Sequence, residues 1–157
     1  MGKKVLSTYI EASSDLRAYA HCTKRREGVT LLLINLSNST TYEIKVHNTM
    51  NRALHVPNYS IPKQGSLKNK FKKAFSWAGS KASDQHLYRE EYRLTPKDEF
   101  KQSQIILLNG KQLSVSEHGD IPHLEPAFVN AFSPIHISPL SITFMVLPKF
   151  EAPTCWS

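Results

Sequence analysis

A chain of 157 residues, 40% hydrophobic and 21% charged, suffices for one globular domain with a single core and leaves no room for a second of full size. Its formal net charge of +7 favours polyanionic neighbours such as nucleic acid, acidic glycans or anionic membrane surfaces, without choosing among them. No run approaches the ~18 apolar residues of a spanning helix, residues 1–30 lack the apolar centre of a secretory signal, and two cysteines are too few for a cysteine zinc site.

Residues 1–15 read as a lead-in segment. Met1-Gly2 invites N-myristoylation, but Leu6 stands where the acylation pattern wants Ser or Thr. From Leu16 to Cys22 apolar and polar residues alternate, which predicts a strand with one inward face and one wet face. The polar stretch Thr23–Gly28 reads as a hairpin turn. Val29–Leu36 is almost continuously apolar, as expected of a central strand covered on both faces. After a turn at Ser37–Thr40, the alternation of Tyr42, Ile44 and Val46 with Glu43 and Lys45 predicts a third strand, so the first third is expected to be a meander.

Residues 47–86, rich in Asn, Ser, Pro, Gly and Lys, sustain neither a period of 2 nor one of 3.6 and read as a long, basic, flexible insertion loop. Leu87–Thr95 is a strand candidate, with a helix as the competing assignment, ended by the turn Pro96-Lys97-Asp98. Gln104–Leu108 and Lys111–Val115 flank Asn109-Gly110, a dipeptide suited to the two positive φ angles of a type I′ hairpin. Ile121–Pro126 is a connector, and two closing strands, Pro134–Ser138 and Leu140–Leu147, lie on either side of Pro139. About eight short strands without a convincing amphipathic helix predict an all-β, mainly antiparallel fold, sandwich or barrel, filling 1–157 as one domain.

The chemistry-bearing residues are sparse. Retaining glycoside hydrolysis needs two carboxyls about 5–5.5 Å apart. Glu90 and Glu91 are adjacent, so on a strand they face opposite ways, and Asp98-Glu99 sits in a solvated turn. The seven histidines His21, His47, His55, His86, His118, His123 and His136 form no HxxxH or HxH spacing. No Gly-rich phosphate loop or cysteine-nucleophile motif occurs, so neither metal nor cofactor is expected.

Lys63, Lys68, Lys70, Lys72, Lys73 and Lys81, interleaved with Phe71, Phe75 and Trp77 and free of acidic residues, are candidate polyanion contacts for a sulfated or carboxylated glycan. A solvated basic loop is the simpler account. Nothing resembles an RNA-recognition or zinc-finger signature, so no specific nucleic-acid partner is expected. Three sequons, at Asn35, Asn38 and Asn58, are candidate glycan attachment points. Asn38 and Asn58 are the better ones, because Asn35 closes an apolar strand and has a hydrogen bond within the turn as a competing role. Cys22 and Cys155 alone read as two isolated buried thiols.

Several segments, in order, resemble the C-terminal part of plant heparanase-like proteins and β-glucuronidases of glycoside hydrolase family 79: Leu16–Cys22, Gly28–Leu36, Arg89–Thr95, Gln104–Gly110, Gly119-Asp120-Ile121-Pro122 and Pro139-Leu140-Ser141-Ile142. The resemblance covers nearly the whole chain except residues 48–86. It implies a β-sandwich that follows a (β/α)8 barrel, with both catalytic glutamates on the barrel. The full-length family hydrolyses β-glucuronide O-glycosyl bonds, whereas this chain alone is expected to be a truncated, non-catalytic accessory domain whose start resembles an internal methionine and whose partner is the barrel. The resemblance further implies a disulfide between Cys22 and Cys155, and a glycoprotein of the secretory route, extracellular or in lysosome or vacuole, and membrane-associated. In similar longer chains an early segment adds a strand to the sandwich, which implies an exposed edge and self-association here. The competing expectation is a free-standing module that binds acidic glycans through the basic loop.

Overall fold

The computed structural model describes residues 1–47, 88–98, 102–148, 150 and 152–155. Ten strands succeed one another: β1 (Val5–Leu6), β2 (Leu16–Cys22), β3 (Val29–Asn35), β4 (Tyr42–Ile44), β5 (Tyr88–Pro96), β6 (Ile106–Leu108), β7 (Lys111–Gln112), β8 (Ala127–Asn130), β9 (Ile135–Ile137) and β10 (Ser141–Leu147), followed by a 3-10 turn at Pro153–Cys155. No α-helix occurs among the described residues, and β5 takes the strand alternative over its segment. Glu90 to Leu94 of β5 pair with five consecutive residues of the central strand β10, Ile142 to Val146, which a lone helix at that place could not do.

Seven strands form an open path β1-β2-β3-β10-β5-β6-β7 with β8 added beside β5, and β4 and β9 form a second, two-stranded sheet. All pairings are antiparallel. The large sheet does not close on itself, so the fold is a β-sandwich rather than a barrel. Its inner face supplies Leu16, Ala20, Val29, Leu31, Leu33, Met145 and Leu147 to one core with Ile135 and Ile137 of β9, while Tyr42 and Ile44 of β4 pack against it. Each large side chain removed from water here contributes roughly 1.5–3 kcal/mol.

The expected meander fails at its third strand. β2 and β3 pair as a hairpin, but β4 leaves β3 and pairs with β9 in the other sheet, and the late strand β10 takes the place beside β3. Asn35 explains the corner. It is 1% exposed, and its Nδ2 donates to the carbonyls of Thr40, Ile137 and Ser138 while its Oδ1 accepts the Ser37 N–H. One amide thus ties the end of β3 to the turn after it and to the end of β9, sending the chain across the core.

Other differences are local. β1 lies inside the lead-in segment and β8 follows the Pro-rich connector, giving ten strands among the described residues where about eight were expected. Two- and four-residue strands are too short for alternation to register in sequence. The third strand stops at Ile44, short of Val46, and the late hairpin spans only Ile106–Leu108 and Lys111–Gln112. Its turn has φ of +50° at Asn109 and +81° at Gly110, the two positive angles of the type I′ geometry. Gly28, φ +101°, closes the first hairpin where an added Cβ would stand 2.3 Å from the Leu147 carbonyl oxygen, so any other residue meets backbone there. The insertion, with Asn58 and Lys63, Lys68, Lys70, Lys72, Lys73 and Lys81, lies outside the described residues.

Candidate functional site

Strand β5 divides its polar residues between the two sides of the large sheet. Arg89, Glu91 and Arg93 share the inner face at period two. Arg89 is 1% exposed. Its Nε donates to Glu91 Oε1 at 2.7 Å, its Nη1 to the carbonyls of Asn130, Ala131 and Ser133, and its Nη2 to that of Pro134. The guanidinium therefore fastens β5 to the chain that runs from β8 into β9. Arg93, more open, donates through Nη2 to Glu91 Oε2 at 3.2 Å and to the His136 carbonyl at 3.1 Å.

The Asn109 side chain completes this inner corner. Its Nδ2 donates to the carbonyls of Glu91 and Glu125, and its Oδ1 accepts the Arg93 N–H. A cleft of about 420 Å³ opens here between Arg93, Thr95, Asn109 and His136. Arg93 Nε and Thr143 Oγ1 are buried without a hydrogen-bond partner, and their residues stand opposite each other in the β5–β10 register. Two arginines hold one carboxylate, so the corner carries one net positive charge and acts as a polar clamp between the sheets.

On the outer side, Glu90 takes both Nη atoms of Arg26, at 2.7 and 2.6 Å, from the first hairpin. That bidentate pair raises the Arg26 guanidinium above its ordinary pKa, chiefly through the hydrogen bond to Glu90. The neighbouring Tyr92 phenol is also raised, first by burial and then by the Glu90 charge. Tyr92, Leu94, Phe144 and Val146 line a second cleft of about 370 Å³ that Met1 and Leu124 also reach.

Among the described residues, neither side assembles an acid and a nucleophile. Glu90 and Glu91 face opposite ways, and each carboxylate is engaged by arginine. Asp98 accepts from Ser103 in an exposed turn, and Glu99 lies outside the described residues. No three His, Cys, Asp or Glu side chains come together for a metal among the described residues, and no helix among them is long and apolar enough to cross a membrane.

Of the sequence-predicted site residues, Cys22 and Cys155 form a disulfide with Cα atoms 5.3 Å apart, joining the end of β2 to the C-terminal 3-10 turn. Asn38 lies exposed in the turn after β3, whereas the Asn35 side chain is sunk and its nitrogen fully engaged. The clamp itself was missed. Its signal is present in the sequence as Arg89-x-Glu91-x-Arg93, opposite charges at strand period two, which places three ionic groups on one face.

No family model matches the chain. Curated proteins do. Heparanase-like protein 2 of Arabidopsis thaliana is 50% identical over 155 residues, 99% of this chain and 28% of that protein. Heparanase-like protein 1 of the same plant is 48% identical over 155 residues, with the same coverage. The baicalin-beta-D-glucuronidase of Scutellaria baicalensis is 30% identical over 157 residues, 100% of this chain and 23% of that protein. The chain thus spans about a quarter of the length of these relatives, with an antiparallel sandwich in the matched part. It belongs, over its whole length, with the heparanase-like proteins, as the counterpart of their C-terminal domain.

Proposed function

We propose that this chain is the accessory β-sandwich of a heparanase-like glycoside hydrolase, packing beside a catalytic barrel and holding it in shape, and that it is non-catalytic alone. The observation that carries this reading is the placement of Glu90 and Glu91. The two adjacent carboxylates project to opposite faces of one strand, each against an arginine, where neither can meet the other across a scissile bond. Cleavage of β-glucuronides then belongs to the longer protein. The cross-link between Cys22 and Cys155 supports a domain made in an oxidising compartment on the secretory route.

The test is turnover. Purified residues 1–157 release no more product from an aryl β-glucuronide than buffer does, while the longer protein cleaves it. Turnover by the chain alone that disappears in Glu90→Gln or Glu91→Gln would falsify this reading. The second reading, a free-standing module for acidic glycans, draws on the net charge of +7 and the lysine-rich run from Lys63 to Lys81.

A further inference from the structure

Asn109-Gly110, the turn of the late hairpin, is the one Asn-Gly pair in the chain. A glycine after asparagine carries no side chain to shield its peptide nitrogen, and that nitrogen is a nucleophile for the neighbouring carboxamide. Gly110 is exposed, and a Cβ built on it meets nothing within 4 Å, so nothing packs over the turn at that residue. Asn109 is held differently. Its Nδ2 donates to the carbonyls of Glu91 at 3.0 Å and Glu125 at 3.1 Å, and its Oδ1 accepts the Arg93 N–H at 2.9 Å. Its own N–H donates to the Arg93 carbonyl at 2.8 Å. The carboxamide is thereby committed to β5 and to the end of the Pro-rich connector.

We propose that Asn109 is a deamidation site gated by the fold, silent while this corner is closed and converted when the corner opens. The step needs only water. The Gly110 peptide nitrogen gives its proton to base and attacks the Asn109 side-chain carbonyl carbon. A new C–N bond closes a succinimide, the bond to the side-chain nitrogen breaks, and that nitrogen leaves as ammonia after taking a proton from water. Water then adds to either succinimide carbonyl and opens the ring to aspartate or isoaspartate. No electrons change hands. To start, the side chain has to turn toward Gly110 and release the hydrogen bonds that hold it in the closed corner, so the reaction follows the local opening equilibrium.

Conversion is irreversible and the product does not rebuild the corner. An ionised carboxylate has no donor, so an acceptor oxygen faces the Glu91 and Glu125 carbonyls where an N–H stood. Isoaspartate also lengthens the backbone by one carbon inside a two-residue turn between Leu108 and Lys111, whose type I′ geometry fits two residues of ordinary length. Glu125 stands just ahead of β8 (Ala127–Asn130), and the carbonyls of Asn130, Ala131, Ser133 and Pro134 hold Arg89. Freeing the connector therefore loosens the approach to the clamp.

Peptide mapping of the 157-residue chain tests this. Trypsin releases residues 102–111, in which Asn109 is the only asparagine, and exchange of the amide nitrogen for oxygen shifts the mass of that peptide. The chain is held at mildly alkaline pH, either folded or unfolded in urea with the disulfide reduced. Asn109 is expected to convert about tenfold faster or more in the unfolded chain, with isoaspartate among the products. Equal rates overturn the gating, and an intact Asn109 in the unfolded chain overturns the site. Asn109→Asp reads the consequence without the isomer. Hydrogen exchange of the Arg93 and Asn109 N–H groups is expected to quicken by about tenfold while the amides of β3 keep their protection. Unchanged exchange at Arg93 and Asn109 overturns the claim that the product loosens the corner.

Discussion

Arg89 and Glu91, two residues apart on β5, form an ion pair of 2.7 Å whose side chains are only 2% and 6% exposed. The pair lies where a sandwich ordinarily has leucine and valine. It is tolerated because every charge is met: the remaining Arg89 donors reach four carbonyls between Asn130 and Pro134, and the second Glu91 oxygen faces Arg93. Burying charge is costly unless pairing and hydrogen bonding are complete.

Glu91→Gln keeps the shape and removes the counter-charge for the buried guanidinium, so it is expected to lower stability by about 3–5 kcal/mol. Against a total of about 5–15 kcal/mol for a domain, that leaves a protein close to unfolding at room temperature. Arg93→Lys alters a partner whose side chain is 31% exposed and is expected to cost less than about 1 kcal/mol. Urea denaturation of both variants checks the contrast. Equal midpoints would show that the pair contributes nothing net.

The legible part of this fold was the part written in side-chain period. β2 and β3 were readable because alternation and a continuous apolar run survive over seven residues, and the late hairpin because Asn109-Gly110 demands a particular turn. What sequence could not show is which strands become neighbours. β4 carries the same alternation whether it pairs with β3 or β9, and the choice is made by Asn35 at long range. The inner-face clamp hid for a related reason. Charges at Arg89, Glu91 and Arg93 mark one face of a strand, but nothing local shows that the chain between Asn130 and Pro134 closes over them.

The disulfide closes almost the whole domain, since its cysteines are 133 residues apart. Cross-linking so long a loop restricts the unfolded chain by about 4–5 kcal/mol on the entropic argument, an upper figure because residual unfolded structure lowers it. Cys155→Ser and Cys22→Ser are each expected to lose most of that amount, and the double variant no more than either single one, because both remove the same bond. Guanidinium denaturation with and without reductant measures it. A reductant-insensitive midpoint for the unaltered chain would show that the thiols are not joined.

The sequons at Asn35 and Asn38 separate by burial. In a secreted preparation Asn38→Gln is expected to abolish one glycosidase-sensitive mobility step, and Asn35→Gln none. Asn35 carries structure instead. Asn35→Ala strands three carbonyls and one N–H that now share its amide, at roughly 1–3 kcal/mol for the buried groups left unpaired. A mobility step that vanishes with Asn35→Gln would mean that the sequon is modified before the corner folds and that the fold accommodates the sugar.

The basic run bears on the choice between accessory domain and glycan module. A chain of net charge +7 adheres to heparin by counterion release whatever its function, so retention alone decides nothing. The informative comparison holds the charge change constant. One variant replaces Lys68, Lys70, Lys72 and Lys73 with Gln; the other replaces Lys3, Lys24, Arg25 and Lys111, all on exposed parts of the sandwich. For a solvated loop, both are expected to lower the eluting salt concentration by the same amount, on heparin and on immobilised single-stranded DNA alike. A clustered site sums several short-range contacts on one ligand, and its loss exceeds that of four dispersed charges. A larger drop for the Lys68, Lys70, Lys72 and Lys73 variant, confined to heparin, would therefore favour the acidic-glycan module over the accessory-domain reading.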